Sequence, residues 1–234
     1  MSTLIFDIET ICDLTPEQLA TVEKLAEGRE WTVERYAALC PPLARVACIA
    51  ALELPAGRLQ VFADSTLAPK ELPAAMDYEV GDGSGRKHEA EVVACGGEAE
   101  LLATFGRRLE GVLQVGTGRA VTYSGRGFDL PVLLHRSIVH GVRDGRSTVE
   151  RLLLENRFRP QQHVDLLETV TAFGATGRWP LAAYAVGYGH RSPKGDMDGS
   201  QVNGAVADGR LVEVLHYCLG DVLATAHVLA KVEA

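Results

Sequence analysis

The chain lacks the cysteine patterns that form the disulfides of small secreted domains or bind zinc. Five cysteines occur among its 234 residues, none of them in a Cys-x-x-Cys pair, and an odd number argues against a complete disulfide framework. We therefore expect reduced, mostly buried cysteines and no zinc site.

Long hydrophobic runs, targeting signals and nucleotide-binding loops are also lacking. No apolar run approaches the roughly 18 residues expected of a membrane span, and no basic region followed by an apolar stretch opens the chain. Gly116-Thr117-Gly118 lacks the third glycine of a dinucleotide fingerprint, and no Gly-Lys-Ser/Thr loop occurs. The sequence predicts a single domain over residues 1–234, no membrane association, no nucleotide cofactor and cytoplasmic residence.

The first segment with a chemical pattern is an apolar strand that carries two acids. Residues 3–10 have the composition of a β-strand and include Asp7 and Glu9. Because side chains two apart on a strand point to the same face, these two carboxylates are predicted to lie side by side.

A second acidic pattern lies on a long helix near the end of the chain. Residues 210–231 contain no proline and have apolar residues at helical spacing, which places Tyr217 and Asp221 next to each other, four residues apart. His216 precedes Asp221 by five and is swung more than a quarter turn away, so we interpret it as a helix-surface or supporting residue. Cys218 is expected to point to another side of the helix.

The third pattern is an aspartate at a strand-to-helix junction. Residues 124–134 predict a strand end, a glycine turn and a helix with Pro131 in its first turn. Asp129 stands at the start of that helix, where an aspartate often serves only as an N-cap.

Four carboxylates gathered in one place would raise one another's pKa values unless a cation lay among them. Hard divalent ions such as Mg²⁺ or Mn²⁺ take oxygen ligands and keep positions open for water and phosphate oxygens. The pattern therefore indicates a metal site of the kind that serves phosphate-ester hydrolysis.

Three segments resemble the exonuclease motifs of the DEDD superfamily, in its tyrosine branch (DEDDy). They are residues 6–10, 127–133 and 217–222. The chain is also similar to the stand-alone proteins predicted as DNA-polymerase-B-like 3′–5′ exonucleases through residues 40–42, 163–166 and 198–202. Each motif alone is weak, and their joint order and contexts carry the resemblance.

The resemblance implies a metal-dependent 3′–5′ exonuclease that acts on the 3′ end of single-stranded nucleic acid, DNA rather than RNA, and releases nucleoside 5′-monophosphates. It implies two Mg²⁺ or Mn²⁺ ions held by Asp7, Glu9, Asp129 and Asp221, with Tyr217 as the residue that orients or deprotonates water. Asp165 is left out of the metal set.

Two other functions stay open on the sequence. A catalytically silent ribonuclease-H-like module could keep the same acids and only bind nucleic acid or a protein. A Mg²⁺-dependent phosphatase could use the acids of residues 7–9, although its expected second aspartate is a glutamate here and no second acid follows close behind Asp221.

The charge distribution qualifies the expectation of a nucleic-acid substrate. The formal net charge is −8, whereas phosphate backbones are held mainly by Lys and Arg. Residues 126–194 are nevertheless locally basic, and Arg126, Arg191 and Lys194 flank the proposed site segments. We predict phosphate contacts from these three residues and a contact of Thr10 with the terminal nucleotide.

The order of predicted elements indicates an α/β fold with a mixed sheet flanked by helices. The resemblance implies that this is the ribonuclease-H-like, DnaQ-like exonuclease fold. A helical insertion is predicted near residues 12–42, either as a lid over the site or as a helical pair packed on the sheet edge. Residues 77–97, rich in glycine and charge, are predicted to be an exposed hairpin or flexible loop.

Overall fold

The computed structural model describes residues 2–28, 30–79, 87–114, 118–158, 161–192 and 197–234. Its strands are β1 (Thr3–Cys12), β2 (Ala44–Leu54), β3 (Arg58–Asp64), β4 (Ala75–Glu79), β5 (Lys87–Cys95), β6 (Arg119–Thr122) and β7 (His163–Asp165). Its helices are α1 (Pro16–Ala26), α2 (Val33–Leu39), α3 (Glu98–Leu113), α4 (Asp129–Val139), α5 (Arg146–Leu154), α6 (Leu166–Val170), α7 (Leu181–Gly187), α8 (Val202–Ala207) and α9 (Leu211–Val232).

The described strands form one mixed sheet in the order β4-β5-β3-β2-β1-β6-β7. β1 is antiparallel to β2 and parallel to β6, and β6 is parallel to β7. The central strand β1 therefore has a neighbour on each side, and helices cover both faces of the sheet. This confirms the predicted mixed sheet flanked by helices.

Side chains of β1 alternate between two hydrophobic cores, as the period of a strand requires. Ile5 and Ile11 belong to the core under α9, whereas Leu4, Phe6 and Ile8 belong to the core under α3 and α4. Asp7 and Glu9 continue the first series, so the strand presents both carboxylates to the α9 side.

A register shift between Glu9 and Thr10 interrupts the ladder of β1 and β2. Glu9 pairs with Cys48 and Thr10 pairs with Val46, which leaves Ala47 of β2 as the extra residue. Such a bulge bends the strand that contains the extra residue, here β2, and increases the local twist. β1 continues past this point to its contacts with α2 of the helical insertion.

The helical insertion consists of α1 and α2. Thr15 and Gln18 form the predicted capping box of α1, with the Thr15 amide donating to Gln18 Oε1 over 2.9 Å and the Gln18 amide donating to Thr15 Oγ1 over 3.3 Å. α2 packs on β1, where Thr10 Oγ1 donates a 2.7 Å hydrogen bond to the carbonyl oxygen of Ala38.

The return from α2 to β2 is anchored by a buried ion pair. Arg136 of α4 binds Glu98 of α3 over 2.6 Å and donates to the carbonyl oxygen of Pro42 over 2.8 Å. Arg136 thus joins three segments of the chain. Its charge, which contributes to the basic region 126–194, is paired inside the fold.

The segment 77–97 is more regular than a flexible loop. Its described parts include the end of β4 and all of β5, which are paired antiparallel from Ala75 with Glu91 to Glu79 with Lys87. The hairpin alternative is therefore confirmed for these residues and the flexible-loop alternative is wrong. Residues 80–86 lie outside the described part of the chain.

α9 is the longest of the described helices and passes the length and hydropathy test of a membrane span, although charged residues interrupt its apolar runs. The apolar composition of α9 is explained by its burial in the core. Most of it is buried against the sheet, and its buried residues, among them Val214, Leu219 and Val222, form much of one core. Core helices of soluble proteins pass the same test.

Candidate active site

Asp7 and Glu9 lie on the part of β1 that extends beyond its pairing with the parallel strand β6. β6 pairs with β1 only along Thr3, Leu4 and Ile5, so the strand edge beside Asp7 and Glu9 is free of β6. The start of α4 approaches this edge, because the Ile8 amide donates a hydrogen bond to the Asp129 carboxylate.

Asp129 is the first residue of α4, and its side chain does not cap the helix. The N-cap is Phe128 and forms no side-chain cap hydrogen bond, so the N-cap interpretation of Asp129 is wrong. Asp129 is only 3% exposed, and its Oδ1 is buried without a hydrogen-bond partner. A buried, unpaired carboxylate oxygen is an unfavourable arrangement that a bound cation would satisfy.

α9 brings Tyr217 and Asp221 to the same place from the opposite layer. The Tyr217 hydroxyl forms a hydrogen bond with the Asp221 carboxylate, as expected of residues one helical turn apart. α9 packs on both β1 and β2, which places Asp221 over Asp7 and Glu9 on the same face of the sheet.

The electrostatics of the cluster favour a cation. Burial raises the pKa values of Asp7 and Glu9 well above their ordinary range, and the neighbouring carboxylates of Asp129 and Asp221 raise them further. Burial also raises the pKa of Asp129 to about 7. Among the described residues, no Lys or Arg lies close enough to these acids to lower their raised pKa values. An all-oxygen ligand set of this kind fits Mg²⁺ or Mn²⁺.

The site opens into a cavity of about 650 Å³. One side is formed by Asp7, Glu9 and Asp221. The remaining lining residues come from the end of β1, from α2, from the start of α4 and from the segment around α8: Ile8, Thr10, Thr32, Glu34, Arg35, Ala38, Leu39, Phe128, Gly199, Ser200, Asn203 and Gly204. The insertion therefore forms a wall of the site, while α2 also packs on β1 and β2.

Residues 89–234 match the family described as a predicted 3′–5′ exonuclease related to the exonuclease domain of PolB. The chain belongs to this family. The match includes Asp129, Tyr217 and Asp221 but begins after Asp7 and Glu9. Those two acids join the others through the geometry of β1.

Among solved structures, the chain is similar to the family B DNA polymerase from the hyperthermophilic archaeon Pyrobaculum calidifontis. The TM-score is 0.54 at 19% sequence identity, over 99% of this chain and 24% of the polymerase chain. At this identity the likeness shows the fold alone, which is the ribonuclease-H-like fold of a PolB exonuclease. A search of the curated proteins found no match.

Membership of this exonuclease family confirms the sequence-based assignment to the nuclease class of enzymes. Exonuclease domains related to PolB generally depend on divalent metal ions and act on nucleic acid. Both properties agree with the oxygen-rich cluster and its open cavity.

Cys218 lies beside the carboxylates, contrary to the expectation that it points elsewhere. Its Sγ is 3.5 Å from the carbonyl oxygen of Asp7 and 3.9 Å from Asp7 Oδ2, and it is fully buried. Burial raises the pKa of this thiol well above its ordinary value, and a hydrogen bond with Cys48 adds to the shift. A neutral thiol at this position packs behind the acids. Its spacing of three residues before Asp221 could have revealed the shared face.

His216 lies outside the cavity and contacts the edge of the sheet. Its ring centroid is 6.3 Å from that of Tyr78 on β4, and its side chain is largely exposed. Partial burial lowers the pKa of His216. This position agrees with the interpretation of His216 as a helix-surface residue.

Asp165 supports the loop that carries Asp129. Its Oδ1 accepts hydrogen bonds from the amides of Ser124 and Leu167, each over 3.0 Å, and its Oδ2 accepts one from the amide of Arg126 over 3.0 Å. One carboxylate thus caps α6 and fixes the turn between β6 and α4. This role of Asp165 was not predicted from the sequence.

The predicted phosphate contact of Arg126 is contradicted by its surroundings. Its guanidinium donates to the carbonyl oxygens of Leu153 and Glu155, each over 3.3 Å, and lies 3.3 Å from the Glu168 carboxylate. The side chain is largely buried and does not line the cavity. Arg126 therefore stabilises the end of α5.

The other predicted substrate contacts have different positions. Thr10 lines the cavity, but its hydroxyl proton is used in the hydrogen bond to Ala38. Arg191 is 66% exposed, lies 3.3 Å from Glu79 and does not line the cavity. Lys194 lies outside the described residues.

Proposed function

We propose that the protein is a metal-dependent 3′–5′ exonuclease that hydrolyses the terminal phosphodiester bond of single-stranded nucleic acid. The observation that carries this proposal is the convergence of Asp7, Glu9 and Asp221 on one cavity, with the unpaired Oδ1 of Asp129 beside them. Family membership supports the same activity.

The four carboxylates would hold the metal ions. Two Mg²⁺ or Mn²⁺ ions would lower the pKa of the attacking water and stabilise the attacking and leaving oxygens of an in-line displacement. Asp7, whose pKa is raised by the nearby carboxylates of Asp129, Asp221 and Glu9, would be suited to contact both ions. Water attacks phosphorus, the bond from phosphorus to the 3′ oxygen breaks, and a nucleoside 5′-monophosphate leaves.

Tyr217 is suited to orient water rather than to deprotonate it. Burial and the charges of Asp221, Glu9 and Asp7 raise the pKa of Tyr217 above its ordinary value. A hydroxyl in such surroundings stays protonated near neutral pH. It can donate a hydrogen bond to Asp221 while its oxygen accepts one from the attacking water, and this proposed role is consistent with the tyrosine branch.

DNA is the proposed substrate in preference to RNA, because the fold resembles that of a family B DNA polymerase. A single strand fits better than a duplex. The acidic chain, with a net charge of −8, offers few cations along which two phosphate backbones could lie.

The test is an assay of 5′-labelled single-stranded DNA and RNA with Mg²⁺, Mn²⁺ or EDTA. We expect metal-dependent shortening from the 3′ end by the wild-type protein and no turnover by Asp7→Asn. Binding without shortening in either metal would overturn the proposed activity in favour of a silent binding module. Release of phosphate from small phosphomonoesters instead would indicate a phosphatase.

A further inference from the structure

The wall of the cavity opposite the acids belongs to the helical insertion. Its described lining residues there are Thr32, Glu34, Arg35, Ala38 and Leu39. The cavity volume of about 650 Å³ lies within the range of small-molecule sites, which is roughly 300–1,000 Å³. The cavity is therefore large enough to hold a nucleotide.

Arg35 is the single Lys or Arg among the described residues that line this cavity. Its side chain is exposed, which places it toward the solvent side of the cavity. Its guanidinium carbon lies 5.3 Å from the ring centroid of Trp31, which is 44% exposed. A cation at this distance over an indole is attracted by the ring, so Trp31 limits the directions that Arg35 can take.

One hydrogen bond from β1 holds this wall in place relative to the acids, and a second holds the neighbouring helix α8. Thr10 Oγ1 donates to Ala38 of α2 over 2.7 Å, and the Cys12 amide donates to Asn203 Oδ1 of α8 over 2.9 Å. Because Thr10 and Cys12 continue the strand that carries Asp7 and Glu9, the position of Arg35 is set by the same strand as the position of the acids.

The negative charge of the site means that the binding of phosphates requires a cation in addition to the metal ions. Asp7, Glu9, Asp129 and Asp221 together carry four negative charges when ionised, which two divalent ions would only neutralise. The phosphates of a nucleic acid then require positive charge from elsewhere. Arg126 is used inside the fold and Arg191 is paired with Glu79, so among the described residues Arg35 is the cation in the cavity wall.

We propose that Arg35 binds a phosphate of the 3′-terminal nucleotides and that Trp31 is its positioning residue, so that α2 is a substrate-binding wall. This inference rests on the proposed nucleic-acid substrate. The guanidinium is suited to the task because its planar donors match two phosphate oxygens.

The test compares Arg35→Gln, Arg35→Lys and the matched control Arg143→Gln, whose side chain is exposed and does not line the cavity. Steady-state kinetics on 5′-labelled single-stranded DNA should show KM raised about tenfold by Arg35→Gln, the loss of one phosphate contact. We expect kcat to stay within about twofold, since the contact is present in ground state and transition state alike.

Equilibrium binding provides a second readout that does not require turnover. Fluorescence anisotropy of the labelled strand, with each variant placed in the Asp7→Asn background in Mn²⁺, should show Kd raised by a similar factor. The slope of log K against log salt should fall by about 0.7, the value for one phosphate contact on a single strand. Arg35→Lys should keep the slope with a smaller loss of affinity.

The outcomes separate this inference from the proposed function. Wild-type turnover with KM, Kd and salt slope unchanged in Arg35→Gln would overturn the role of Arg35 alone. An equal loss in Arg143→Gln would also overturn it, since the effect would then belong to net charge. Absence of wild-type turnover, with Arg35→Gln still weakening binding, would overturn the exonuclease activity and support the binding wall.

Discussion

Tyr217 is the residue whose role the structure makes most specific. Its hydroxyl contacts Asp221, and its raised pKa keeps it protonated. We expect Tyr217→Phe to lower kcat roughly 10²- to 10⁴-fold, the range for loss of a group that positions a proton in the transition state. KM and thermal stability should change little, because phenylalanine keeps the ring packed against the core. Single-turnover kinetics would check this.

His216→Ala is the matched control for Tyr217→Phe. His216 stands one position earlier on the same helix but contacts Tyr78 instead of the acids, so its removal should leave turnover near the wild-type rate. An active Tyr217→Phe protein together with an inactive His216→Ala protein would reverse the assignment of the branch.

At the scale of elements, the turn between β6 and α4 depends on Asp165. Its carboxylate accepts amide hydrogen bonds from Ser124, Arg126 and Leu167. Asp165→Ala leaves these buried donors unpaired and should lower the free energy of unfolding by roughly 1–3 kcal/mol. It should also lower turnover, since Asp129 begins the helix after this turn. Asp165→Asn, which keeps one acceptor oxygen, should fall between Asp165→Ala and wild type.

Denaturant unfolding and turnover measured on the same samples would check this prediction. The control is Asp144→Asn, which removes an exposed ion pair with Arg107 and should change the free energy of unfolding by less than about 1 kcal/mol. A loss of stability in Asp165→Ala no larger than in this control would show that the turn is held by other contacts.

Most elements of this fold could be predicted from the sequence because their hydrophobic periodicity is strong. The alternation in β1 fixed the shared face of Asp7 and Glu9, and the apolar pattern of α9 fixed its extent and the pairing of Tyr217 with Asp221. The sequence left residues 77–97 open between a hairpin and a flexible loop, because charge and glycine dominate their composition. Their pairing depends on β3, which lies far away in sequence.

The substrate side of the site could not be predicted in the same way. Whether an arginine faces a cavity or an internal carboxylate depends on tertiary packing. Arg126 and Arg35 look alike in the sequence, yet the first is held by α5 and Glu168 and the second lines the cavity. The positions of acidic residues on strands and helices with a regular hydrophobic pattern could therefore be predicted. Which arginines on turns and on the inserted helices face the cavity could not.

At the scale of the whole molecule, the buried acids make the stability of the metal-free protein depend on pH. The pKa values of Asp7, Glu9 and Asp129 are raised in the folded state, so the native state binds more protons than the unfolded state between about pH 4 and pH 7. Their contribution to stability is therefore greatest at low pH and is lost as the pH rises through the folded pKa of about 7 for Asp129.

The melting temperature at several pH values, with EDTA or Mn²⁺, would measure this effect. We expect the difference in Tm between Asp129→Asn and wild type in EDTA to grow in favour of the variant as the pH rises from about 4 to 7. Mn²⁺ should stabilise the wild type increasingly over the same interval, because the ion binds ionised carboxylates. A metal-free Tm difference that is independent of pH would contradict the raised pKa of Asp129.

The register shift at Ala47 of β2 divides β1 into two parts with different contacts. Before the shift, the strand carries Asp7 and Glu9, and after it Thr10 and Cys12 hydrogen-bond to α2 and α8. A change in the twist at this point would therefore move α2 and α8 relative to Asp7 and Glu9, so the width of the cavity and the spacing of its carboxylates would change together.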